Sequence, residues 1–424
     1  MNILTLNCWI HSIHYTLCSG VDWSILATGE LERVAIGGTS ISQRSPGREG
    51  YSARVECVDH RDAIDLVIAT LTDPQHGVID DKQQIAAVGH RIVHGGEEFR
   101  QPVRIDEQIL ATMRTLAPLA PLHNEPNIAG TEACMNLLPA IPHIAVFDTS
   151  FHQTMPECAY LYPLPYEWYE EYGVRRFGFH GPSHLYLSRR AAALLGRPVV
   201  DCNLVTIHCD RGVSLCALRN GVSVDTSMGL TPLEGAIMDT RCGDIDPGIP
   251  AFMIHAEDLS MTELNRILNL KSGITGILGR QVQRRDYLAA AMEGDPQSVL
   301  ALQMESHRLK KYIGAYLAAV GPVDAIAISA GTGEQEWISR QETFAGLECF
   351  GILLDQEKNR TGAVGRAEAR ISAADSSIAV FVIPSDEERV IAEEVMAVLS
   401  GDCTDHAHRD YSFSRPGFKP VDRA

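Results

Sequence analysis

Six polar side chains stand where an apolar run ends or a glycine-rich turn begins. Arg91 and His94 lie in AVGHRIVHGG, Asp148 closes IAVFD, and His180 lies in RRFGFHGPSH. Arg241 lies in DTRCGDIDPG, and Glu387 follows the run IAVFVIP. Loops and strand ends are where a rigid scaffold can aim reactive groups. Each residue alone has an ordinary structural reading: a strand arginine is half of an ion pair, a histidine beside phenylalanine is packed core, and an aspartate at a strand end caps a helix. Taken together, two arginines, a histidine and two carboxylates suit phosphoryl transfer to a small carboxylate. That chemistry depends mostly on positioning and on cancelling charge.

The elements that must position these groups follow from hydrophobic pattern. Short runs rich in Val and Ile predict strands over Ile3–Cys8, Ala86–Val93, Ile144–Asp148, Leu204–Cys209, Val323–Ser329 and Ile378–Ile383. Asn220-Gly221 predicts a tight hairpin between Val213–Leu218 and Val222–Thr226, because both residues tolerate positive φ. Apolar residues at approximate helical spacing predict a long helix that starts after Asp295-Pro296 and stops at Gly321-Pro322. Strands alternating with helices make this an α/β protein.

The 424 residues allow two or three domains. Formal net charge is −18, with no basic stripe, which argues against nucleic acid or an anionic membrane surface as a partner. A protein this acidic needs local arginine clusters to hold anionic substrates. The eleven cysteines are dispersed without a C-x-x-C pair, as expected for reduced thiols in the cytoplasm. The first residues read as a strand, and no apolar run is long enough to suggest a membrane span. Gly401–Ala424 is polar and aperiodic, and is expected to be a loosely ordered tail.

The segment around Arg91, LAPLHNEPNIAG, the run from Ala145 to Ala192, VDTSMGLTPLEG and GDIDP together resemble the acetate kinase family, from Met1 to about Leu399. The resemblance implies the two-domain actin-like fold of sugar kinases and chaperone ATPases, with an active cleft between domains. The expected division is 1–150 plus 384–400 for one domain and 151–383 for the other, with 401–424 as the tail. Also implied are the reaction of acetate with ATP to give acetyl phosphate and ADP, Mg²⁺ as cofactor, and a homodimer. By resemblance, Arg91 and Arg241 hold the carboxylate and the moving phosphoryl group, His180 hydrogen-bonds that group, and Asp148 is the catalytic acidic residue. Asn7 and Glu387 match residues around the metal. Val93, Leu122, Phe179 and Pro232 match a small apolar pocket for a methyl group.

The nucleotide side departs from the family pattern. Where the family has a Gly-Ser-Ser-Ser turn followed by Lys, this chain reads Cys8-Trp9-Ile10-His11-Ser12-Ile13-His14. The second phosphate turn reads His208-Cys209-Asp210-Arg211-Gly212, and the adenosine turn reads Ala330-Gly331-Thr332-Gly333-Glu334-Gln335. Gln283, two residues before Arg285, replaces a nucleoside-contacting Asp. Bulk and a carboxylate in phosphate turns predict weakened ATP binding. Two alternatives to the plain reading follow: a relative that uses pyrophosphate or water, and a non-catalytic protein that binds acyl phosphate.

Overall fold

The computed structural model describes residues 1–329, 335–362 and 367–420. The expected nucleotide residues Gly331 and Gly333 lie outside the described residues. The chain divides into two compact units. Unit 1 comprises Met1–Gln153, Asp386–Tyr411 and the described residues from Lys419; unit 2 comprises Thr154–Ser385 and Ser412–Phe418.

Unit 1 is built on an eight-stranded sheet: β1 (Asn2–Cys8), β2 (Ser12–Ser19), β3 (Ile25–Glu32), β4 (Thr39–Arg44), β5 (Tyr51–Val55), β6 (Ile85–Ile92), β7 (Val103–Arg104) and β8 (His143–Phe147). Its spatial order is β5-β4-β3-β2-β1-β6-β8-β7. The strands β1, β6 and β8 run parallel and are buried on both faces, which is why they read as apolar runs. One face packs Leu4, Leu6, Val88 and Cys134 with the helix His60–Leu71. The other packs Ile3, Ala87, Ile144 and Val146 against Ile391 and Val395 of the helix Glu387–Ser400. That helix lies so near β6 that a Cβ on Gly89 would meet Ile391 at 2.7 Å and Val395 at 2.8 Å. Among the buried polar groups, His90 Nε2 and His143 Nδ1 are 2.9 Å apart, and the other ring nitrogen of His143 lies 3.0 Å from the Leu138 carbonyl. These imidazoles satisfy one another in the core.

The second unit carries a six-stranded sheet: β9 (Leu204–Cys209), β10 (Val213–Arg219), β11 (Val222–Thr226), β12 (Ala325–Ile328), β13 (Ala369–Arg370) and β14 (Ala379–Val382). Its order is β11-β10-β9-β12-β14-β13. Asn220 and Gly221 turn the hairpin with φ of 53° and 76°, the conformation this pair permits. The long helix spans Pro296–Val320; Asp295 caps its N-terminus by accepting from Ser298 N–H, with Pro in the first turn.

The tail corrects an expectation. Tyr411 and Phe413 are fully buried, and Arg409 and Tyr411 hydrogen-bond the buried carboxylate of Glu394, with His406 Nδ1 at 3.2 Å. A carboxylate taken out of water requires such partners, so the polar composition of this segment serves packing. Among the described residues the eleven cysteines form no disulfide. No described helix is long and apolar enough to cross a membrane.

Candidate functional site

In unit 1, Arg91 leaves β6 beside the end of β8, where parallel register sets Arg91 against Val146 and Ile92 against Phe147. Asp148 follows directly, its backbone N–H donating to the Ile92 carbonyl. Arg91 donates Nε–H and Nη2–H to the two oxygens of Asp148, both at 2.8 Å, and Nη1–H to Glu387 at 2.7 Å. Burial alone would lower the Arg91 pKa; the charges of Asp148 and Glu387 reverse this and raise it above the ordinary arginine value. Glu387 opens its helix, where the first turn favours a carboxylate, and Asp386 caps that turn by accepting from Arg389 N–H. Asn7, near the end of β1, has a buried Oδ1 with no hydrogen-bond partner among the described residues.

The segment after β6 is fixed by side-chain amides from the helix Pro121–Leu137. Asn127 accepts from Val93 N–H, while Asn124 accepts from His94 N–H and donates to the His94 carbonyl. Gly95 is required there, because a Cβ would lie 2.9 Å from the Phe147 ring. Val93 and His94 are buried, but Leu122 is 38% exposed. Trp9 lies in the turn between β1 and β2, its backbone N–H donating to the Ser12 carbonyl. The Arg91 guanidinium lies over its ring, 5.8 Å from the centroid, and His123 meets it edge-on at 5.7 Å. His14 is exposed on β2, opposite Asn7.

In unit 2, His180 precedes the helix Gly181–Leu195 with φ of 58°. A left-handed histidine is uncommon, and it holds the ring at the positive end of the helix. Its Nδ1 is 2.8 Å from Ser214 Oγ on β10, and its ring lies 4.1 Å, centroid to centroid, from that of His208. His208 Nδ1 in turn sits 2.8 Å from Ser183 Oγ. Arg241 donates Nη1–H to the carbonyl of buried Pro232 at 2.8 Å. A Cβ placed on Gly212 would lie 3.0 Å from Arg241 Nη2 and 3.2 Å from His180 Nε2. Gly212 therefore keeps open the point that these two donors share. Burial moves the Arg241 pKa down to about 10, partly offset by Asp239. Burial likewise pushes the Asp239 carboxyl up to about 6, against the pull of Arg284. Phe179 is fully buried.

The remaining expected nucleotide residues Asp210, Arg211, Gln283 and Arg285 are exposed. Sequence reasoning passed over Arg284, which pairs with Glu305 at 2.6 Å and Glu336 at 2.9 Å. It also passed over Ser214, His184 and Thr206 behind His180. The spacing of His184, four residues after His180 at a helix start, could have placed it on the same face.

The sequence profile of the acetokinase family matches residues 2–393. The chain belongs to this family. It is 56% identical over 418 residues to an acetate kinase of Geobacter metallireducens, covering 99% of each chain. Among solved structures, that of Porphyromonas gingivalis acetate kinase has a TM-score of 0.88 at 39% identity, covering 94% of this chain and 99% of the other. A propionate kinase from Francisella tularensis gives a TM-score of 0.86 at 34% identity, covering 93% and 98%. The acetokinase-family chain thus has the two-domain actin-like fold, and the two clusters above both fall inside the matched range.

Proposed function

We infer that the protein is an acetate kinase-type phosphotransferase: ATP and acetate give ADP and acetyl phosphate, reversibly. The observation that carries this is the family match across residues 2–393, which includes every residue of both clusters. The expectation of weakened ATP use, and with it the pyrophosphate, water and non-catalytic readings, is not favoured. Relatives named acetate kinase reach 56% identity over 99% of the chain. Main-chain donors can cradle phosphate whatever the neighbouring side chains, and the largest substituted residue, Trp9, sits beside Arg91.

In this reading a carboxylate oxygen of acetate attacks the terminal phosphorus of ATP, an O–P bond forms, and the bond to the ADP oxygen breaks. Arg241 Nη2–H and His180 Nε2–H donate to the phosphoryl oxygens at the point Gly212 leaves open, where charge is spread in transfer. Arg91, with its orientation fixed by Asp148 and Glu387, takes the carboxylate side. On the family resemblance, Val93, Leu122, Phe179 and Pro232 are the apolar residues assigned to the methyl group. His208, Gly212 and the exposed set His14, Asp210, Arg211, Gln283 and Arg285 belong to the nucleotide side. The buried, unpartnered Oδ1 of Asn7 and the carboxylate of Glu387 are oxygen donors suited to Mg²⁺, which would supply charge neutralisation of the polyphosphate. A homodimer and a cytoplasmic setting complete the reading, on the family resemblance.

The test offers acetyl phosphate to the purified protein with ADP, inorganic phosphate or water as separate acceptors. ATP formation with ADP alone is expected. Turnover with phosphate or water and none with ADP would overturn the reading.

A further inference from the structure

Behind His180 runs a line of three buried groups. Ser214 Oγ lies 2.8 Å from His180 Nδ1 and 2.8 Å from His184 Nε2, and His184 Nδ1 lies 2.8 Å from Thr206 Oγ1. Ser214, His184 and Thr206 are all fully buried. A serine hydroxyl has one proton to donate. Among the described residues, the hydrogen-bond partners of Ser214 Oγ are these two ring nitrogens, so that proton goes to one of them. Leaving a buried hydroxyl without an acceptor is costly, and so is charging His184 at this depth.

The protons on the two imidazoles are therefore tied together. If neutral His184 carries its proton on Nε2, it donates to Ser214, Ser214 donates to His180 Nδ1, and the proton of His180 stands on Nε2. In the opposite order His180 donates from Nδ1, and its Nε2 becomes a bare acceptor. The Nε2 edge of His180 borders the same point as Arg241 Nη2, next to Gly212. An anion at that point requires a donor, which selects the first order. The N-terminus of the helix Gly181–Leu195 also disfavours a positive charge on His180.

We propose that His184 is a positioning residue for phosphoryl transfer: acting through Ser214, with Thr206 behind it, it holds His180 as the neutral Nε2–H tautomer, so that the imidazole enters the reaction as a fixed donor. This deepens the acetate kinase reading and rests on it for the identity of the anion. The relay itself involves no net proton transfer, only the order of three hydrogen bonds.

The experiment is nitrogen NMR on protein labelled with ¹⁵N-histidine, combined with kinetics. In the wild type both His180 and His184 are expected to carry their proton on Nε2. In Ser214→Ala, His180 is expected to lose its tautomer preference. The kcat should fall by about 10- to 100-fold, the usual cost of losing an outer partner that orients a functional group, while KM for acetate and ATP stays within about twofold. Ser214→Thr, which keeps the hydroxyl, should restore both readouts. A wild-type His180 protonated on Nδ1, or Ser214→Ala with unchanged kcat, would overturn the proposal. If Ser214→Ala fails to fold, the wild-type tautomer still decides. The tautomer readout needs no turnover, so a wild type without ADP-dependent activity would fail the functional reading and leave the relay to be judged by the proton on His180.

Discussion

Arg91 is buried and Arg241 half-buried, and the two have opposite electrostatic settings. Two carboxylates hold Arg91, so its guanidinium is fixed in place before any substrate arrives. Arg241 donates to a carbonyl, and burial draws its pKa down to about 10, so its charge remains to be answered by an anion. The two alanine variants should therefore fail differently. Arg241→Ala should lose about 2–4 kcal/mol of transition-state stabilisation, by analogy with loss of an oxyanion donor, with little change in the urea midpoint. Arg91→Ala strands Asp148 as a buried unpaired carboxylate and should cost about 3–5 kcal/mol of stability as well as activity. Denaturant titration beside a steady-state assay separates the two; equal destabilisation would contradict the contrast. Gly212→Ala belongs to the same scale. Its methyl would press on Arg241 and His180 at 3.0 Å, so kcat should fall about tenfold, the equivalent of roughly 1.4 kcal/mol, while secondary structure by circular dichroism stays intact.

At the scale of elements, the helix Glu387–Ser400 does two jobs. Its first turn offers Glu387 to Arg91, and its last turns carry Glu394, on which the C-terminal segment closes. Burial opposes the charge of Glu394, but His406, Arg409 and Tyr411 outweigh it and hold its pKa below the ordinary glutamate value. A carboxyl whose pKa is lower folded than unfolded stabilises the fold above the unfolded value and loses that contribution as pH falls. Glu394→Gln should thus be less stable than wild type at pH 7, and the difference should shrink as pH drops through about 4. Urea midpoints between pH 7 and pH 3.5 would show it. A gap that stayed constant or widened on acidification would place the effect elsewhere.

For the whole molecule, the chain contributes its C-terminal segment to both units in turn. Arg409 and Tyr411 serve unit 1, and then Ser412–Phe418 serve unit 2. There Phe413 packs 4.9 Å from the Tyr186 ring, and its carbonyl accepts from Arg190 at 2.7 Å. Arg190 also pairs with Glu368. A chain ending at Asp402 removes the partners of Glu394 and of Arg190 together, so both units should lose stability. Native-state hydrogen exchange should show faster exchange in β8 and in the helix Gly181–Leu195 alike. Loosening confined to unit 1 would mean that the second stretch of the segment bears no load.

The sequence alone marked the buried parallel strands, the β10–β11 hairpin and the long helix, because apolar periodicity reports burial directly. It placed Leu204–Cys209 at its observed ends, the hairpin at Asn220-Gly221 and the long helix up to Val320. It also marked Arg91, Asp148, His180, Arg241 and Glu387, because polar groups at the ends of apolar runs stand out. The strands β2 to β5 went unread: in an antiparallel sheet with one wet face, short polar-apolar alternation resembles loop. What pairs with what was decided only by tertiary structure. Arg91 meets Asp148 and Glu387 across 57 and 296 residues, through strand register and helix packing that no local pattern encodes. Trp9 stands beside Arg91, and the polar tail serves a buried carboxylate, for the same reason. The line from Thr206 through His184 and Ser214 to His180 joins a helix to two strands. Its proton order follows from which atoms meet at 2.8 Å, and those meetings exist only in the folded chain.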